Sequence, residues 1–168
     1  NIATNAGGPH ALKYGVTRNY VLGLEVVLPT GEIFNTGAAT VKSVSGYSLK
    51  DLFIGSEGTL GVITRARLRL LPMPEACYTV LASFNDVGTA ARAVSDIIAS
   101  GVIPSTLEYM DHVTINAVED YKGAGLPRNA EAVLLIETDG NAKAAREEAE
   151  RIISLCEKAG AKVRHADD

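Results

Sequence analysis

Apolar and polar positions divide the chain into two styles of pattern. Up to about Pro72 the sequence is rich in Gly, Thr and Val and holds few stretches of helical periodicity. Tyr20–Pro29, with Val21, Leu24, Val26, Val27 and Leu28, reads as a strand. Pro29-Thr30-Gly31-Glu32 then reads as a turn and Ile33–Asn35 as the returning strand of a hairpin. Ser48, with Asp51 three residues on, can cap a short helix through Phe53. Gly61–Leu71 alternates most plainly: Val62, Thr64, Ala66, Leu68 and Leu70 fall on one face, Ile63, Arg65, Arg67 and Arg69 on the other. An arginine face of that kind meets water or an anion, and water is the plainer reading.

After Pro74 strands alternate with amphipathic helices. Cys77–Phe84, Thr106–Met110, Glu131–Thr138 and Ala161–His165 read as strands. Between them, Asp86–Ser100 repeats apolar residues at helical spacing and is closed by Gly101; Asp111 can cap a helix to about Tyr121; Asn141 can cap one to about Ala159, stopped by Gly160. This is an α+β pattern, an antiparallel sheet with helices on one face. Pro72-Met73-Pro74 favours an extended connection, and the expected domains are 1–74 and 75–168.

The composition is that of a globular protein, with 46% hydrophobic and 21% charged residues. A net charge of −4 with no run of Lys and Arg argues against nucleic acid as a partner. No apolar run approaches the roughly 20 residues of a membrane helix. Cys77 and Cys156 match no metal or redox spacing, so two buried thiols in a reducing, cytoplasmic setting are expected. Residue 1 is Asn, and Asn1–Gly8 reads as the interior of a folded loop. The chain is therefore expected to be a piece of a longer protein.

Two segments carry candidate chemistry. Asn1–His10 (NIATNAGGPH) is a loop of small residues whose backbone can approach a ligand closely, with exposed N–H groups able to cradle a phosphate and Thr4 and Asn5 able to add side-chain hydrogen bonds. Gly55–Ile63 (GSEGTLGVI) repeats glycine every third residue and then enters a strand. It is neither a Walker loop, since no Lys follows the last glycine, nor a dinucleotide fingerprint, since no helix follows. By residue pattern alone, a tight glycine turn without a ligand accounts for either segment equally well.

Together, NIATNAGG, YGVTRNYVLGLEVVLPTGE and GYSLKDLFIGSEGTLGVITRARLRLLP resemble the flavin-binding domain of the vanillyl-alcohol oxidase type, and within it the glycolate oxidase and D-lactate dehydrogenase group. The resemblance covers about 1–75 closely and 76–168 more loosely, where STLEYMD and the alternating elements look like the first part of a cap domain. It implies the C-terminal part of a PCMH-type FAD-binding domain followed by the first part of a ferredoxin-like, substrate-covering cap domain. It implies FAD, touched by Thr4, Asn5, Ala6 and Gly7 in the first loop and, largely through backbone atoms, by Glu57, Gly58, Thr59, Leu60, Gly61, Val62 and Ile63 in the second. It also implies that the family's first flavin subdomain lies upstream of Asn1, and that its catalytic histidines, substrate-binding basic residues and any metal ligands lie downstream. No catalytic or metal-binding residue is assigned within the chain.

The three histidines do not replace them. His10 reads as an exposed loop histidine that could lie near the flavin, His112 as a surface residue in the first turn of a helix, and His165 lies too near the chain end to interpret. Asp111 is a helix cap and Glu108 a surface residue in the plainer reading. For the parent, the resemblance implies oxidation of glycolate or D-lactate to the 2-oxo acid, with hydride passing to flavin N5 and electrons onward to an acceptor or partner subunit. Two other readings stand beside it: an inactive structural fragment without FAD, and a non-catalytic α+β ligand-binding module. Exposed sheet edges in such a fragment would favour self-association.

Overall fold

A computed structural model describes residues 1–167. In chain order the elements are α1 (Ala11–Tyr14), a 3-10 turn (Thr17–Asn19), β1 (Val21–Val27), β2 (Ile33–Gly37), α2 (Lys50–Phe53), β3 (Val62–Leu68), β4 (Ala76–Phe84), α3 (Val87–Ala99), β5 (Thr106–Asp111), α4 (His112–Lys122), β6 (Ala132–Gly140), α5 (Ala142–Lys158) and β7 (Lys162–Asp167). They form two compact units. The first holds Asn1–Gly8 and Gly15–Pro72; the second holds Met73 onward together with the six residues Pro9–Tyr14.

The first unit is built on a three-stranded antiparallel sheet in the order β2-β1-β3. One face of β1 supplies Val21, Leu24 and Val26 to a small core closed by Phe53 and Ile54 from and just after α2. The β1–β3 register shifts between Glu25 and Val26, where Val26 faces Ile63 but Glu25 faces Arg65. Thr64 is the extra residue of this bulge, which reverses the facing of the residues beyond it. Simple alternation sets Ile63 on the arginine face. The bulge instead turns Ile63 to the core side opposite Val26, and leaves Arg65 and Arg67 on the far side opposite Glu25 and Gly23. The short helix α2 also departs from expectation. Ser48 does not cap a backbone N–H; its Oγ donates to Asp51 Oδ2 at 2.6 Å, and Leu49 stands at the N-cap without a side-chain bond.

The second unit is a four-stranded antiparallel sheet in the order β5-β6-β4-β7. β4-α3-β5 is a split β-α-β with β6 inserted between its strands, which is the ferredoxin-like arrangement. The three long helices are stopped and started as their sequences dictate. Asp86, Asp111 and Asn141 each accept a backbone N–H in the first turn, and Gly123 takes the left-handed conformation after α4. Val80, Ala82, Phe84, Leu134 and Ile136 point to one face, where α3 and α5 cover them with Ala90, Ala93, Ile97, Ala149, Ile152 and Cys156. Among the described residues, α4 does not share that face with these two helices. α4 buries Ile115 against Val133, Leu81 and Met110, which point the opposite way. Burial pushes the Cys156 thiol up to about 11, consistent with an inert core cysteine, whereas Cys77 is half-buried rather than buried.

Candidate functional site

The first glycine-rich loop as far as Gly8 and the whole of the second lie in the first unit, and they are hydrogen-bonded to each other. The first folds back on itself: Asn5 N–H donates to Ile2 O at 3.1 Å and Ala6 N–H to Asn1 O at 2.9 Å. The second is laid along it, with Gly55 N–H donating to Ile2 O at 3.1 Å and Glu57 N–H to Ala3 O at 2.9 Å. The bonds between the loops thus join Ile2 and Ala3, just before the expected Thr4–Gly7, to Gly55 and to Glu57, the first residue of the expected segment Glu57–Ile63.

The polar side chains of these loops organise the backbone. Thr4 Oγ1 donates to Asn1 O at 3.3 Å, Thr59 Oγ1 to Ser56 O at 2.6 Å, and Asn5 Oδ1 accepts Arg18 N–H at 2.9 Å. Arg18 supports the other side as well, its guanidinium donating to Asp51 O and Ile54 O, each at 2.9 Å. Its role was not legible in the sequence, since a lone arginine before a strand carries no local signal. Asp51, beside it, is opposed by partial burial, but hydrogen bonds from Ser48 and Lys50 and the nearby cations hold its carboxyl below the ordinary range.

Asn5 and Glu57 both take left-handed backbone conformations, φ +48° and +50°, and Gly58 follows Glu57 at φ +78°. Such residues are uncommon outside glycine and point the adjoining N–H groups in directions that regular structure does not use. The glycines turn out to serve different needs. A Cβ on Gly61 would lie 2.6 Å from Val26 Cγ1 and 2.7 Å from Val27 O, so Gly61 lets β3 close onto β1 and is required by the fold itself. A Cβ on Gly55 would press on Asn5 Cβ at 3.3 Å, again a contact between the two loops. Gly8 and Gly58 have open space where a Cβ would point.

Among the described residues, the backbone N–H groups of Gly7, Gly8 and Gly58 make no hydrogen bond, and all three residues are exposed. Leu60 and Val62 are exposed, while Ile63 is turned into the core. Two cavities of the first unit, about 440 and 320 Å³, are lined by neither loop. The loops present an open surface of free backbone donors. Among the described residues no group of three His, Cys, Asp or Glu could hold a metal ion, and no helix is long and apolar enough to cross a membrane.

Two of the three histidines, His10 and His112, have hydrogen-bond partners. In the second unit, His10 Nδ1 lies 3.1 Å from both Ser105 O and Thr106 Oγ1. His112 Nδ1 lies 3.0 Å from Ala130 O, and His165 lines a pocket of about 170 Å³ with Tyr78 and Arg146. Asp111 caps α4 and Glu108 is exposed.

Residues 73–168 match the family model for FAD linked oxidases, C-terminal domain. The chain belongs to the FAD-linked oxidase family. Residues 1–37, which include the first loop, match the model for an FAD binding domain. Relatives include glycolate oxidase subunit GlcD of Bacillus subtilis, 51% identical over 161 residues and covered for 34% of its length by 96% of this chain. The Escherichia coli K12 protein of the same name is 47% identical over 169 residues, with 34% of it covered by the whole chain. A D-lactate dehydrogenase of Anaerostipes hadrus is 40% identical over 149 residues, with 85% of this chain covering 31% of it. The chain thus spans about a third of the length of these relatives. A solved alkyldihydroxyacetonephosphate synthase shares the fold, with a TM-score of 0.81 at 22% identity, 96% of this chain matching 32% of that one.

FAD is the cofactor of the FAD-linked oxidase family, and the loops fit it in kind. Free, exposed N–H groups on glycines are the donors a pyrophosphate or a flavin carbonyl oxygen would accept from.

Proposed function

We propose that the chain supplies the flavin-facing loops and the first part of the cap domain of an FAD-dependent 2-hydroxy-acid dehydrogenase or oxidase, acting on glycolate or D-lactate. The observation that carries this reading is the pairing of the two loops through Ile2 and Ala3, which gathers the free amides of Gly7, Gly8 and Gly58 onto one unit. The chemistry that FAD supplies when bound is acceptance of a hydride from the substrate's α-carbon. Thr4, Asn5, Ala6 and Gly7, with Glu57, Gly58, Thr59, Leu60 and Val62, form its contact surface in this chain. Their part is to bind and orient through backbone donors held by Arg18, Thr17 and the loop–loop bonds. Gly61 and Ile63 contribute by fixing the start of β3.

The catalytic groups for the hydroxyl proton lie in the remainder of the parent, so the isolated chain does not turn over substrate. Partner subunits belong to the same proposal, because two of the relatives are named as subunits. So does a cytoplasmic setting, in keeping with two cysteines that match no disulfide framework and with Cys156 buried in the apolar core.

The test is the visible spectrum of the purified chain after incubation with excess FAD. The expected result is a perturbed flavin band that desalting removes, reflecting a surface that offers only part of the cofactor's contacts. An unperturbed spectrum at saturating FAD, from a chain whose circular dichroism is folded, would contradict the assignment of these loops.

A further inference from the structure

Between Gly8 and Gly15 the chain leaves the first unit, and its six intervening residues belong by contact to the second. One residue, Gly8, separates the end of the loop Thr4–Gly7 from the start of the excursion at Pro9. Its neck is closed inside the first unit, where Thr17 N–H and Thr17 Oγ1 both donate to Ala6 O, at 3.0 and 2.7 Å. Covalent reach alone keeps Pro9 within about 7 Å of Gly7.

Polar contacts hold this strap. Its helix α1 has no buried residue, and Leu12 is half exposed. Lys13 Nζ donates to Asp139 Oδ1 at 2.6 Å and to Asp139 O at 2.5 Å, while Tyr14 OH donates to Asp139 Oδ2 at 2.7 Å. Both carboxylate oxygens are thus taken by consecutive strap residues, and the Asp139 side chain is only 9% exposed. At the other end of the strap, His10 Nδ1 sits between Ser105 O and Thr106 Oγ1, and Thr106 Oγ1 donates its own proton to Glu137 Oε2 at 2.8 Å. A carbonyl can only accept, and the threonine hydroxyl has already donated. Nδ1 must therefore carry the imidazole proton. His10 is locked as one tautomer for as long as the strap is docked.

We propose that Asp139 is a positioning residue for the flavin-facing loop: by clamping Lys13 and Tyr14 it holds the Pro9–Tyr14 strap, and the strap sets the conformation of Thr4–Gly7 through the Ala6–Thr17 neck. The inference rests on the flavin reading for its purpose, but its physical content does not depend on bound FAD. It makes a residue of the second unit, 125 positions away in sequence from Tyr14, a determinant of the first loop.

The experiment is amide hydrogen exchange on the flavin-free chain, read together with the nitrogen-15 shifts of the His10 ring. Asp139→Ala is expected to speed exchange at Asn5, Ala6 and Thr17 by about tenfold or more, and to mix the His10 tautomers. Exchange at Leu134 and Ile136 in β6 should stay slow. Asp139→Glu, which keeps an anion for Lys13, is expected to restore much of the protection. Lys13→Met and Tyr14→Phe open the clamp from its exposed side and serve if Asp139→Ala loses β6 protection. If the His10 tautomers mix in any of these variants while Asn5, Ala6 and Thr17 exchange as in the unaltered chain, the strap is an ornament of the second unit and the inference fails. If His10 and the loop amides are both unmoved in the Lys13 and Tyr14 variants, the clamp does not hold the strap, and it fails equally. An FAD titration of the unaltered chain judges the flavin reading separately, so the two failures are told apart.

Discussion

The central strand of the second unit and the outer strand of the first show how differently the two units are made. In β6, five of nine residues are buried, and apolar residues leave both of its faces, towards α3 and α5 on one side and α4 on the other. In β3, six of seven residues are exposed. The larger core of the second unit gathers thirteen buried side chains, the first unit's five. Hydrophobic burial scales with the area removed from water, so the second unit has the means to hold its own shape. The first depends on close backbone approach at Gly61, left-handed residues at Asn5 and Glu57, and side chains such as Arg18 that bond to carbonyls. The difference separates a stabilising scaffold from a surface shaped for a ligand: the candidate chemistry lies where the core is thin and the backbone is most specifically bent.

The sharpest way to break this contrast is to damage each unit at its own foundation. Ile152→Ala empties a fully buried position between α5 and the sheet, and is expected to cost about 3 kcal/mol, read as a fall in the urea midpoint. Gly61→Ala forces a methyl into Val26 and the Val27 carbonyl, and is expected to cost about 2 kcal/mol, seen as loss of amide protection in β1 and β3 with α5 unaffected. Gly58→Ala has room but an unfavourable φ of +78°, and about 1 kcal/mol is expected. Equal costs at Gly58 and Gly61 would show that the two glycines do not differ as the geometry says.

Acid probes the polar clamp. Partial burial works against the charge of Asp139, but the hydrogen bonds from Lys13 and Tyr14 and the Lys13 charge outweigh it and hold the carboxyl below the ordinary range. A carboxyl depressed in the folded state gives a contribution that is complete above its unfolded pKa of about 3.9 and is lost as pH falls through the lower folded value. The His10 ring and Glu137 also border the strap. The specific expectation is that Lys13 ammonium contacts and Tyr14 hydroxyl protection persist to about pH 4 and disappear below it; their loss at pH 6 would contradict the clamp. The smallest expected effect is association. Ile33, Val62 and Leu68, between half and two-thirds exposed, border the outer edges of β2 and β3, and edges of this kind pair weakly with copies of themselves. Sedimentation should show a concentration-dependent dimer, and a strictly monomeric chain at high concentration would speak against it.

Much of the second unit was legible in the sequence because its signals are local. Asp86, Asp111 and Asn141 announce helices whose caps the structure shows, and the apolar repeat of α5 finds the face it predicts, whereas α3 buries Ala90, Ala93 and Ile97 and leaves Val87 and Ile98 exposed. What was hidden is set by contacts distant in sequence. The bulge at Thr64 comes from pairing with β1 some 39 residues earlier, and it moved Ile63 to the other face. The strap is fixed by Lys13 and Asp139, 126 positions apart. The placement of α4 is decided by one residue, Ile115, which periodicity could not single out. At the candidate site the two glycine segments were visible, but their mutual pairing was not. Small residues that make room for a ligand are the expectation from sequence; at Gly55 and Gly61 the room is taken by the protein's own chain.

The measurement that bears most directly on the account is a backbone amide map of the chain during titration with FAD. The account predicts shifts concentrated at Gly7, Gly8 and Gly58 and their neighbours in Thr4–Gly7 and Glu57–Ile63, with β4, β6 and α5 unmoved. Saturable shifts centred on another surface, such as the cavity beside Gly23, Arg65 and Arg67, would contradict it.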